Sequence, residues 1–143
     1  MARAGCEQVS IGFESGSERI LKNMNKRFTL EEVRQISEIL SEQGIKRMGF
    51  LLLGSPGETR KSVEESLTFA DSLKLDNLKI TAGVRIYPHT VVAKKAVKEG
   101  MIASHDELLF PQFYLARDLE NWLPDTLKNW AITRPHWMIP DYS

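Results

Sequence analysis

The chain has 143 residues, 42% hydrophobic and 27% charged, with 19 Lys plus Arg against 19 Asp plus Glu. That balance favours neither nucleic acid nor an anionic membrane as partner, and the length suits one domain with its own core. No apolar run reaches a membrane span, and the N-terminus MARAGCEQVS lacks the apolar core of a signal peptide. The single Cys6 excludes an internal disulfide or a multi-cysteine metal site within one chain, so a cytoplasmic protein is expected.

In chain order, Gln8 to Glu14 alternates, with Val9, Ile11 and Phe13 on one side and Ser10, Gly12 and Glu14 on the other. Met1 stands almost directly before this strand, which leads us to expect a preceding part. Ser15 to Glu18 has capping-box spacing ahead of a short helix carrying Ile20, Leu21 and Met24. Asn25 to Phe28 breaks that helix. Thr29 to Glu32 repeats the capping pattern, and Val33, Ile36, Ile39 and Leu40 space as one apolar face of a second helix, closed by Gly44. Ile45 to Leu53 reads as a strand buried on both faces, ending in a turn that contains Gly54, Pro56 and Gly57.

The helix after that turn has two plausible starts, one capped by Ser55 with Pro56 in first position, the other capped by Thr59. Val63, Leu67, Ala70 and Leu73 form its apolar face. Leu78 to Ile86 alternates as a third strand, setting Lys79, Thr81, Gly83 and Arg85 against Leu78, Ile80, Ala82, Val84 and Ile86. A helix then runs from about Val91 to Glu99, ended by Gly100. From Met101 the chain turns aromatic and proline-interrupted, with short helices expected near Arg117–Leu123 and Pro124–Thr133.

Three successive strand–helix units, with strands at about 7–14, 45–53 and 78–86, imply an α/β fold with parallel strands joined by right-handed crossovers. Two of the strands carry a polar face (Ser10, Glu14, Lys79, Thr81 and Arg85). A sheet covered on one side only, with a wet face turned inward, suits a barrel or half-barrel, and three strands cannot close one. Residues 1–100 are therefore expected to be part of a barrel. Residues 101–143 are expected to form an extension, mostly helical or irregular, packing on or beside it.

Gly54 to Ser62 is a near miss to a phosphate-binding Walker loop, because Arg60 stands where a glycine must precede the Lys, and Glu58 would repel phosphates. A phosphate-binding fragment of another (β/α) barrel enzyme is the third choice. Glu14 ends a strand beside a Ser-Gly-Ser loop, where a carboxylate either serves a helix N-terminus or faces a ligand. Lys26 reads by default as a solvated loop lysine. An inward Arg85 needs a partner, either Glu14 or an anionic ligand. His89, His105 and His136 have no metal-ligand spacing, Cys6 reads as a small apolar residue, and Trp122, Trp130 and Trp137 are too far apart in sequence for an aromatic cage.

Val9 to Lys26 resembles the fourth-strand segment of radical S-adenosylmethionine enzymes, and Gly54-Ser-Pro-Gly-Glu-Thr59 resembles their fifth-strand turn, usually Gly-x-Pro-Gly-Glu-Thr. Gly83 to Pro88 is similar to the sixth-strand segment, particularly in members with a cobalamin-binding domain upstream, and the Leu-Leu-Phe-Pro-Gln-Phe-Tyr tail is similar to that subgroup. The resemblance implies the C-terminal half of a partial (β/α)6 TIM-like barrel. It also implies half of an S-adenosylmethionine site. Glu14 with Ser10 would contact the ribose or amino group, and Lys26 would pair with the methionyl carboxylate. Backbone around Leu52, Leu53 and Gly54 would border the adenine, and Arg85, Ile86 and Tyr87 would complete that wall and face substrate.

Such enzymes hold a [4Fe-4S] cluster on a Cys-x-x-x-Cys-x-x-Cys loop, and use it to cleave the cofactor to a 5′-deoxyadenosyl radical. One cysteine cannot supply three thiolates. The chain alone is thus expected to be inactive, with the cluster, and cobalamin if used, belonging to a longer parent. The main rival is a non-catalytic α/β binding or interaction module. A homo-oligomer paired through an exposed N-terminal strand edge is also expected.

Overall fold

The structure, a computed structural model, describes residues 7–103 and 112–141. Cys6, His105 and residues 108–111 of the tail motif lie outside the described residues. Six strands and five helices follow in the order β1 (Gln8–Glu14), α1 (Glu18–Asn23), α2 (Leu30–Glu42), β2 (Lys46–Leu53), α3 (Arg60–Ser72), β3 (Asn77–Ala82), β4 (Val84–Arg85), α4 (Val91–Lys98), β5 (Phe113–Tyr114), α5 (Leu123–Ile132) and β6 (Trp137–Met138). A 3-10 turn, Arg117–Leu119, precedes α5.

Strands β1, β2, β3 and β6 form a parallel sheet in that spatial order, as right-handed βαβ crossovers require. The alternation in the sequence is the alternation in space. Phe13, Leu51, Leu53, Leu78 and Ile80 are buried against Val63, Leu67 and Ala70 of α3. Ser10, Lys79 and Thr81 lie on the open face. Phe13 meets Phe69 of α3 edge-to-face, with centroids 5.8 Å apart. A sheet covered on one side and open on the other is the arrangement expected of a partial barrel.

The Thr59 start of α3 is the real one. The Thr59 side chain accepts from the Ser62 N–H while Ser62 Oγ accepts from the Thr59 N–H, a reciprocal cap. Thr29 likewise caps α2, accepting from the Glu32 N–H. The first capping box does not form. Ser17 is the N-cap of α1 and makes no side-chain cap bond. Ser15 Oγ instead accepts from the Ser17 N–H, and Glu18 reaches across to the Leu30 N–H at the start of α2.

Two further expectations are corrected. The face of α2 was expected to bury Ile36 and Ile39, yet these are 51% and 54% exposed, and Ser37 is buried instead. The cause is Arg47. It points into the helix-covered side of β2, where its guanidinium donates to Ser37 Oγ at 2.6 Å, so the helix turns a polar residue inward to receive it. The third strand ends at Ala82 rather than Ile86, because Gly83 takes φ +90° and leaves the sheet. Val84 and Arg85 pair instead antiparallel with Tyr114 and Phe113.

The C-terminal segment does more than pack beside the sheet, since β6 adds a fourth strand alongside Leu78 and Lys79 of β3. Arg134 anchors it. Its guanidinium grips the Asp71 carboxylate of α3 at 2.9 and 3.1 Å and lies over the rings of Trp130 and Trp137, which stack 5.8 Å apart. The hydrogen bond from Arg134 holds the Asp71 carboxyl below its ordinary range.

Candidate functional site

At the C-terminal ends of β1 and β2 the chain opens a cleft of ≈ 660 Å³, a size that accepts a nucleoside-bearing cofactor. Its floor is the end of β1 with Glu14 and the end of β2 with Leu52. One wall is the connection from α1 to α2, Asn23 to Lys26, and another is the turn Ser55 to Gly57. Val84 of β4 and the first turns of α4, with Val91, Val92 and Lys95, complete it. Parallel α/β sheets place ligands at this end of their strands, because the βα turns and helix N-termini gather there.

Glu14 sits in the left-handed backbone region at φ +67°, where a non-glycine residue other than Asn or Asp is uncommon. The β1–β2 register shifts between Ile11 and Glu14 at the same point. Such backbone strain, of order 1–3 kcal/mol, concentrates where a side chain must be aimed at a ligand. Among the described residues no hydrogen bond or ion pair to the Glu14 carboxylate is formed, and α1 begins without its help, so the helix-cap reading of Glu14 has no contact behind it. Asn25, at φ +59°, sets Lys26 on the opposite rim. Lys95 pairs with Glu99 at 3.7 Å. Glu99 also receives Tyr114, whose phenol is pushed up to about 12 by burial and by that hydrogen bond.

Of the residues expected at a cofactor site, the structure brings Glu14, Lys26 and Leu52 together in this cleft. Ser10 lies lower on the open face of β1 and is exposed. The Leu53 and Ile86 side chains are in the core. Gly54 is buried behind the turn, its carbonyl accepting from the Ala116 N–H at 3.0 Å. Arg85 is exposed, with its guanidinium 5.1 Å from the centroid of the Tyr87 ring, and neither lines the cleft. Arg85 leaves the polar face for the same reason that β3 ends early, the bend at Gly83.

Sequence reasoning missed Asn23, Asn25, Val91, Val92 and Lys95. Only Asn25 carried a local signal, an asparagine just past a short helix, the usual place for a left-handed residue. It also missed how Glu58 works. That carboxylate is 5% exposed; one oxygen accepts the Gly54 N–H at 3.3 Å and the other accepts the Ser62 hydroxyl. It closes the turn from within and occupies the backbone donor a phosphate would need, which weighs against a phosphate site.

Burial pushes the Glu58 carboxyl above its ordinary value, against the opposing pull of Ser62, Gly54 and Arg19. A raised folded-state pKa means that this group's contribution to stability is complete below about pH 4.5, and is lost as pH rises through the higher folded value. Glu58→Gln keeps an acceptor for Gly54 and can donate to Ser62 Oγ, so it should flatten that decline and melt at or above wild type at pH 7. Glu58→Ala should cost about 1–3 kcal/mol at any pH by orphaning both partners. Thermal melts from pH 4 to 8 decide the matter, and a Gln variant that tracks the wild-type pH profile sinks this account.

The sequence profile of the Radical SAM superfamily matches residues 1–70. Residues 1–70 thus carry the sequence pattern of the radical S-adenosylmethionine superfamily, on a parallel α/β sheet open on one face. The chain is 30% identical over 102 residues to an uncharacterized methyltransferase of Pyrococcus horikoshii, a match covering 71% of this chain and 22% of that protein. It is 37% identical over 75 residues to the ribosomal protein uS12 methylthiotransferase RimO of Chlorobium luteolum, covering 51% and 17%. It is 34% identical over 74 residues to a tRNA-2-methylthio-N(6)-dimethylallyladenosine synthase of Clostridium beijerinckii, covering 50% and 16%.

The chain thus spans about a fifth of the length of the curated relatives it matches. Among solved structures, the radical S-adenosylmethionine methyltransferase TsrM of Kitasatospora setae superposes with a TM-score of 0.76 at 21% identity. That match covers 99% of this chain and 34% of TsrM. TsrM has been solved with tryptophan and an S-adenosylmethionine analogue, and with cobalamin and a [4Fe-4S] cluster. At that identity the likeness establishes the fold. No helix among the described residues is long and apolar enough to cross a membrane.

Proposed function

We propose that the cleft is one part of an S-adenosylmethionine site, in a cytoplasmic protein that transfers a methyl group from that cofactor. The observation carrying the proposal is the convergence of Glu14, Lys26 and Leu52 on one ≈ 660 Å³ cleft. Their chemistry fits the cofactor's three parts. A carboxylate accepts from an ammonium or ribose hydroxyl, a lysine neutralises a carboxylate, and an apolar strand end lies against a purine. When bound, S-adenosylmethionine supplies an activated alkyl group; this chain's residues hold and orient it.

The [4Fe-4S] cluster does not fit the chain. A single cysteine is present, and no group of three or more His, Cys, Asp or Glu in the described residues could hold a metal ion. Cluster ligands must then come from another segment or chain, and the isolated chain should not cleave the cofactor. The TsrM fold likeness and the names of the relatives support the cobalamin-associated, methyl-transferring part of the superfamily. The same single cysteine favours the second reading, a non-catalytic binding module.

Ligand-observed NMR with S-adenosylmethionine tests the site. The chain should bind saturably with a dissociation constant of about 1 mM, the weak affinity of an incomplete pocket. Glu14→Ala and Lys26→Ala should each weaken binding about tenfold, the loss of one charge-assisted contact. His136→Ala, away from the cleft, should not. Micromolar binding would show that the cleft is already complete. Equal binding by all the variants would remove the site assignment.

A further inference from the structure

Three buried side-chain polar atoms lack a partner among the described residues: Arg47 Nε, Glu99 Oε2 and Ser55 Oγ. The first two belong to groups bonded through their other atoms. Arg47 donates through both terminal nitrogens, and Glu99 engages Lys95 and Tyr114. Ser55 has one hydroxyl, and it is the buried group left with no bond at all. Native structures satisfy nearly all such groups, so an exception calls for a partner that is absent.

Its setting narrows the choice. Ser55 is 3% exposed and lines the cleft, three residues beyond Leu52 on the same chain segment. The sequence offers an ordinary employment for it, as N-cap of a helix with Pro56 in first position. That role is not taken, because α3 starts at Arg60 under Thr59. Around it the turn is satisfied: the Gly54 N–H donates to Glu58, the Glu58 N–H donates to the Ser55 carbonyl at 3.0 Å, and Ser62 bonds Thr59 and Glu58.

We propose that Ser55 is a ligand-contacting residue of the cleft, its hydroxyl hydrogen-bonding a polar edge of the nucleoside that rests against Leu52. The inference rests on the S-adenosylmethionine reading above and adds a residue and a role to it. Glu14 and Lys26, charged groups of the rim that among the described residues have no paired counter-charge such as Glu99 gives Lys95, suit the amino-acid end of the cofactor. Ser55 is neutral and lies on the apolar strand end, which suits the base or ribose. A hydroxyl on one rotatable bond both donates and accepts, so it can turn from the turn's interior to either kind of partner.

Ser55→Ala separates this role from a structural one. Adenosine and free methionine serve as separate probes in saturation-transfer NMR with the full chain, beside thermal melts. The variant should bind adenosine about fivefold to tenfold more weakly, bind methionine as wild type does, and melt at or slightly above the wild-type temperature, since an orphaned buried hydroxyl has been removed. Unchanged adenosine binding overturns the proposal while leaving the cofactor reading standing. Equal weakening of both probes also overturns it, as does a melting point several degrees lower, which would reveal a folded-state partner for the hydroxyl. If wild type binds neither probe, the cofactor reading fails and the proposal falls with it.

Discussion

Replacing Arg47 by alanine should cost about 3–4 kcal/mol, among the largest losses available to a single side chain here. Arg47 is 8% exposed, and among the described residues no carboxylate forms an ion pair with its guanidinium. Its bonds run to Ser37 Oγ at 2.6 Å, to the Leu73 carbonyl at 2.9 Å and to the Lys74 carbonyl at 2.6 Å. Leu73 is the C-cap of α3, so the cation sits where the helix presents unpaired carbonyls and the negative end of its dipole.

A buried cation is often replaceable by an apolar residue without loss, because its own desolvation is costly. Arg47 differs, because removing its guanidinium leaves those carbonyls and the Ser37 oxygen without a donor. Arg47→Met, which keeps the packing and loses the donors, should therefore be nearly as damaging as alanine. For a chain of this size the loss corresponds to a fall in melting temperature of roughly 10 °C. A methionine variant as stable as wild type would show that water replaces the guanidinium at little cost.

Gly16→Ala should be comparably destructive, by about 2–4 kcal/mol, for a purely steric reason. A Cβ at Gly16 would stand 2.6 Å from Ser66 Cα and 2.7 Å from Phe69 Cβ, atoms of the α3 framework rather than the movable end of a long side chain. The loop approaches that closely because the Gly16 N–H donates to Ser66 Oγ at 2.9 Å, with Ser15 and Ser66 hydroxyls 3.3 Å apart. Alanine must push the loop off α3, and Glu14 lies two residues upstream. The variant should therefore lose S-adenosylmethionine binding as well as several degrees of melting temperature. Ser66→Gly should fail to rescue it, since the nearest obstructing atom is the Ser66 Cα. A stable double variant would mean that the loop has more slack than these distances give it.

What could be read from the sequence follows a physical divide. Strand faces were legible because side-chain parity is local: Val9, Ile11 and Phe13 declared the covered side of β1, and Ser10 declared the open one. The apolar face of α3 was legible for the same reason, as Val63, Leu67, Ala70 and Leu73 are all buried. Alternation said nothing about where a strand stops, and the pattern through Ile86 ran past Gly83, whose turn depends on the approach of the Tyr114 carbonyl from residues far along the chain. The α2 face misled because Ser37 is buried by Arg47, a partner ten residues away that no helical period reveals.

The cleft divides likewise. Its strand-end residues stand in motifs, whereas Val84 and the α4 wall arrive by the path the chain takes after Gly83.

The two borders of the sheet are unlike. One is the seven-residue strand β1, with a full row of backbone groups turned outward; the other is β6, two residues long and closed by Pro140 soon after. Among the described residues, head-to-tail stacking would need β1 of one copy to find a long partner at the β6 side of the next, and β6 is too short to provide one. Contact between copies along β1 would be expected to take a two-fold arrangement, in which the borders pair with each other and growth stops at two. The short strand contributed by the aromatic tail should therefore bias any self-association toward a closed pair rather than a fibre, which sedimentation at increasing concentration checks.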